Sequence, residues 1–89
     1  MKINIVAIIW KDVFAFEDEP LDEETFSLAP SLQIGLLYDE DDEKLRLVHG
    51  YSLEHDEHDF IVIPKLLVVE RKLLGTFDTD TKKINLAKN

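Results

Sequence analysis

The run Ile3-Asn4-Ile5-Val6-Ala7-Ile8-Ile9-Trp10 most constrains what this chain can become. It is rich in β-branched residues, ends in an aromatic one, and places apolar side chains on both alternating faces. Such a strand must be covered on two sides or curl into a barrel, so the run predicts a central strand. Four further runs are as short. Leu32–Tyr38 sets Leu32, Ile34, Leu36 and Tyr38 on one face, Lys44–His49 alternates with Leu45 and Leu47 inward, and Phe60–Ile63 and Val68–Leu74 follow.

The connections are polar. From Lys11 to Ser31 no sustained 3.6-residue period appears, and Glu17-Asp18-Glu19-Pro20 and Asp22-Glu23-Glu24 predict a long acidic loop with at most one helical turn over Leu21–Phe26. Asp39-Glu40-Asp41-Asp42-Glu43 is too polar to bury and predicts a hairpin turn, while Gly35 predicts a bulge or bend in its strand. Pro64 ends the fourth run and starts a single helical turn over Pro64–Leu67. Lysine and arginine in the fifth run suit an edge strand.

The expected fold is therefore all-β. It is a small five-stranded SH3-like or Sm-like barrel over residues 1–75, with one helical turn before the last strand. Residues 76–89 form a polar tail or an extra hairpin about Thr79-Asp80. Zero cysteines exclude a disulfide framework, a thiolate metal site and a cysteine nucleophile, so packing alone must stabilise about 90 residues. The apolar runs fall far short of the roughly 20 residues of a membrane span, and no charged-then-apolar leader opens the chain, so a soluble, cytoplasmic protein is expected.

The formal net charge is −9 and is unevenly placed. Sixteen acidic and four basic residues lie within Met1–Phe60, against three acidic and six basic after it, a balance of −12 against +3. An acidic surface repels phosphate backbones, so neither direct nucleic-acid binding nor membrane binding is expected. Solubility alone accounts for such charge, and so does a face that engages a basic partner. Clustered carboxylates also repel one another, which predicts raised carboxyl pKa values and a fold that tightens between pH 7 and 5.

The order Ile8-Ile9-Trp10-Lys11-Asp12, then Gly35 ahead of the acidic turn, then Phe60-Ile61-Val62-Ile63-Pro64-Lys65, resembles that of short uncharacterised proteins encoded by bacteriophages and mobile elements. The resemblance covers most of Ile3–Leu74. It implies a phage-type accessory protein that binds and blocks something, and it carries over no catalytic residue.

Few motifs carry chemistry. His55 and His58, among Glu54, Asp56, Glu57 and Asp59, offer metal donors without a third or fourth imidazole-rich partner beyond His49, so no metal or cofactor is expected. The serines lack a nucleophile elbow, no glycine-rich phosphate loop exists, and carboxylates in solvated runs make poor acid/base pairs, so no enzyme is expected. The leading expectation is a non-catalytic protein that binds, and in the stronger form of the reading inhibits, a host or phage protein, such as a defence or nucleic-acid-handling factor. Its surface would comprise Phe14, Phe16, Glu17, Asp18, Glu19, Asp39, Glu40, Asp41, Asp42 and Glu43. Trp10 and Phe26 fit either an aromatic patch or the core. A rival expectation is an anionic-ligand or nucleotide sequestering protein, its cations Lys65, Arg71, Lys72, Lys82 and Lys83 gathered between the subunits of a homo-oligomer. A structural accessory subunit is a third.

Overall fold

The computed structural model describes residues 1–12, 30–55 and 57–88. Their apolar runs form one antiparallel sheet of six strands, β1 (Lys2–Lys11), β2 (Pro30–Glu40), β3 (Lys44–Tyr51), β4 (His58–Pro64), β5 (Val68–Asp78) and β6 (Ile84–Leu86). The spatial order is β4-β3-β2-β1-β5-β6, which makes β1 a central strand. A 3-10 turn, Lys65–Leu67, joins β4 to β5 where Pro64 fixes the backbone.

That short turn dictates the sheet's shape. In a flat sheet β4 and β5 would lie four strand spacings apart, roughly 19 Å. The four Cα steps from Pro64 to Val68 span only about 14 Å when fully stretched. The sheet must curl, and the Lys65 amide donates to the Glu43 carbonyl at 2.8 Å, fastening the turn to the β2–β3 hairpin.

The concave face holds the core. Val6, Ile8 and Trp10 of β1 meet Leu45 and Leu47 of β3 and Ile63 of β4, with Leu37, Ile61, Leu67 and Val68 packed around them. Trp10 is thus a core residue. Full burial of side chains such as Ile8, Leu45, Leu47 and Ile63 is worth about 1.5–3 kcal/mol each. Gly35 lies opposite Val6 in this face, and a Cβ there would sit 2.7 Å from the Val48 carbonyl oxygen. Close approach of backbone explains this glycine, while the β2 register slips further on, between Leu37 and Asp39.

The convex face is apolar too. Ile5, Ala7 and Ile9 pair with Leu36, Ile34 and Leu32, and Val48 stands between Leu36 and Phe60. Leu32, Ile34, Leu36 and Tyr38 do share a face, but it is this outward one, where Leu32 is 63% and Ile34 50% exposed.

In place of a closed five-stranded barrel stands one open sheet of six strands. β5 continues through Gly75 to Asp78 and pairs with β1 on one side and β6 on the other, so only its first half lies at an edge. That half carries Glu70, Arg71 and Lys72, charges that at an edge oppose further pairing, and β4 and β5 form no ladder with each other. Among the described residues no helix is long and apolar enough to cross a membrane.

Candidate functional site

The acidic turn is internally neutralised over most of its length. Glu40, at the end of β2, accepts from Arg71 of β5 through both carboxylate oxygens, at 3.3 and 2.9 Å, and pairs with Lys65 at 2.9 Å. These contacts tie the end of β2 to β5 and to the 3-10 turn. The two cations hold the Glu40 carboxyl down to about 2, Arg71 contributing more than Lys65. Asp39 receives Arg46 in a fork at 2.9 and 2.5 Å. Asp41 pairs with Lys44 at 2.8 Å and accepts the Glu43 and Lys44 amides, which drives its carboxyl well below the usual range. Asp42 and Glu43 stand exposed at the tip.

The direction of these shifts corrects the expectation of raised carboxyl pKa values. Asp39 reaches Arg46, Glu40 reaches Arg71 and Lys65, and Asp41 reaches Lys44, so attraction outweighs repulsion at Glu40 and Asp41. Asp78 is lowered as well, by the Asp80 and Thr81 amides first and the nearby amino terminus after them. A group with a depressed folded pKa stabilises the fold above its unfolded pKa and loses that effect as pH falls. Glu40, Asp41 and Asp78 therefore make the fold weaker in acid rather than tighter.

Beside the turn, the convex face of β2, β3 and β4 assembles a row of rings that single positions in the sequence do not announce. Arg46 of β3 projects from this face opposite Val62, and its guanidinium lies 4.8 Å from the Tyr38 ring centre and 5.4 Å from that of Phe60. Asp39 fixes the fork from the side, so Arg46 is held as a planar spacer between two rings. The row continues through His58, stacked on Tyr38 at 5.9 Å and on Tyr51 at 6.1 Å. Tyr51 meets the Phe77 ring edge-on at 6.0 Å and carries the Lys82 ammonium 5.5 Å from its ring centre. Tyr38 is 47% and Phe60 51% exposed, so the row is supported from below and open above.

Open clefts border it. One of about 330 Å³ runs along Asp39, Glu40, Asp41, Arg46 and Val62. A second, about 460 Å³, lies between Tyr38, Tyr51, His58, Met1, Asp80 and Lys82. A third, about 390 Å³, is apolar, lined by Ile5, Ile34, Leu36, Val48, Leu53, Phe77 and Ile84 among others. Acidic groups thus flank both ends of an aromatic and aliphatic surface.

The remaining candidate residues are dispersed. Phe14, Phe16, Glu17, Asp18 and Glu19, with Phe26 and the helical turn over Leu21–Phe26, lie outside the described residues. Lys65 and Arg71 are committed to Glu40, whereas Lys82 sits in the turn after β5 near Tyr51. The stretch of β5 from Arg71 to Asp78, roughly 23 Å, separates the two places. Lys72 pairs across from Ala7 and Lys83 lies beside β6, so a single copy does not gather the five cations. His58 joins the ring row, while His55 lies in the turn between β3 and β4 with its amide on Ser52 Oγ and its ring 3.7 Å from Glu54. Among the described residues no three His, Asp or Glu side chains converge as a metal site. Comparison with protein-family models, with curated proteins and with solved structures finds no match to this chain.

Proposed function

We propose that this chain is a non-catalytic interaction module that binds a protein partner through the convex face of β2, β3 and β4. The observation that carries the reading is the row Phe60, Arg46, Tyr38, His58 and Tyr51, preorganised by Asp39 and half open to solvent. Contiguous exposed apolar surface with a polar rim marks interaction sites, and rigid aromatic and arginine anchors concentrate binding energy there. Exposed acidic groups at both ends of the row, Asp42 and Glu43 at the tip of the turn on one side and Glu57 and Asp59 beside Tyr51 and His58 on the other, favour a partner segment that combines lysine or arginine with apolar residues. The acidic contribution anticipated from the sequence is kept as a rim, and the rings supply the anchor.

The strand order of β1 to β5, with a 3-10 turn before the last, supports reading the scaffold as an SH3-like or Sm-like barrel with an unclosed seam. The phage-type resemblance supports a host or phage protein as the partner.

Fluorescence anisotropy with three synthetic peptides of equal length, basic-apolar, acidic-apolar and neutral polar, tests the reading. The basic-apolar peptide binds best, more weakly as salt rises, and Tyr38→Ala with Phe60→Ala weakens it by about tenfold or more with the circular dichroism unchanged. Equal binding of all three peptides, or binding that the double variant leaves intact, overturns it.

A further inference from the structure

We propose that a second copy of this chain pairs along β4, forming an antiparallel strand-to-strand dimer centred on Ile61. β4 ends the sheet order: β3 occupies one side, and no described strand pairs with the other. Such an edge presents a row of backbone donors and acceptors to any strand of matching shape, and proteins normally blunt it with lysine, with charge or by brevity.

The edges of this sheet differ in that respect. The free half of β5 carries Glu70, Arg71 and Lys72 in succession, and β6 is three residues long and preceded by Lys82 and Lys83. β4, His58-Asp59-Phe60-Ile61-Val62-Ile63-Pro64, has neither lysine nor arginine, and Phe60 and Val62 stand 51% and 45% exposed along it. Within seven residues it combines high β-propensity with low net charge. The proline falls at its last position, so it leaves the rest of the ladder free.

The strand is also complementary to itself, which is what selects a second copy over a foreign strand. A two-fold axis at Ile61 sets Phe60 opposite the partner's Val62 on the convex face and Asp59 opposite the partner's Ile63 on the other. His58 then meets the partner's Pro64, and no ionised group faces its like. Residue parity is preserved, so the apolar convex faces of the two copies become continuous. Phe60 lies at the junction, which places the two ring rows end to end and doubles the surface available to a repeated or two-site partner.

Sedimentation equilibrium from about 1 to 200 µM at physiological salt tests the pairing without any ligand, so its result is separable from that of the peptide experiment. The expected species is a dimer of twice 10.3 kDa. Val62→Lys, which sets an ammonium group against the partner's Phe60 beside Arg46, returns the protein to a monomer. Val69→Lys, on the β5 edge, leaves the dimer intact. In a mixture of labelled and unlabelled chains, isotope-filtered contacts between Phe60 ring protons and Val62 methyl groups of different copies report the register even if Val62→Lys fails to fold. A wild-type monomer throughout the range overturns the proposal, and so does the absence of those contacts in a dimer. A dimer that Val69→Lys dissociates also overturns it, because the edges would then join head to tail.

Discussion

Replacing Glu40 by glutamine removes the charge on which Lys65 and Arg71 converge while keeping the shape of the side chain. The three side chains are 33%, 31% and 41% exposed, so solvent screens their attraction and neither pair approaches the strength of a buried one. Partly exposed pairs contribute about 0.2–1 kcal/mol each. The two together place the cost of Glu40→Gln at about 1 kcal/mol. For a domain of this size that lowers the thermal midpoint by about 4–8 °C, and it lowers the urea midpoint with an unchanged slope, since the exposed surface is the same.

The pH dependence identifies the cause. The Glu40 carboxyl is lowered from 4.5 to about 2 on folding, so between those values the unfolded chain binds the proton and the native state does not. Its stabilisation is complete above about pH 5 and is lost as pH falls toward 2. Urea titrations at pH 6 and pH 2.5 should show wild type and variant well apart in the first and nearly coincident in the second. A gap equally wide at both values, or no gap at pH 6, would refute the role given to these ion pairs in holding the curled sheet together.

Gly35→Ala drives a methyl group against the Val48 carbonyl oxygen, a backbone atom that cannot turn aside, and should cost about 1–3 kcal/mol in the urea midpoint. Trp10→Ala opens a void among Val6, Ile8, Leu45, Leu47 and Ile63 and should cost about 3–5 kcal/mol, enough to unfold most of the protein at room temperature. Asp41→Ala removes the acceptor for two turn amides and should broaden or shift the Glu43 and Lys44 amide resonances while the β1–β5 ladder keeps its chemical shifts.

The parts of the fold that depend on local periodicity are legible from the residues. The two-faced run at Ile3–Trp10 becomes a central strand, Leu45 and Leu47 point into the core, and Pro64 precedes a single helical turn, because each follows from alternation or from proline's fixed backbone. Closure of the sheet is not local. It depends on register slips in β2 and β5 and on whether the Arg71 and Lys72 edge accepts a partner, neither of which a run of residues encodes. The electrostatics of Asp39–Glu43 misled for the same reason: the repelling neighbours are adjacent in sequence, whereas the cations that reverse the effect on Glu40 lie at positions 65 and 71. Tyr38, Tyr51, His58 and Phe60 are spread over three strands, and only the pairing register sets them in a row. Outward-facing aromatic residues on consecutive strands were the available signal. Phe14 and Phe16, the aromatic pair that alternation beside Glu17 favours, lie outside the described residues.

The most direct test of the account is a backbone amide map, by nuclear magnetic resonance, of the isotope-labelled protein titrated with the basic-apolar peptide. The account predicts progressive shifts at Tyr38, Arg46, Tyr51, His58 and Phe60, with smaller ones at Asp39 and Asp80 and little change at Val6, Ile8 or Arg71. Shifts confined to Asp42 and Glu43 at the tip of the acidic turn, with the ring row unmoved, would contradict it.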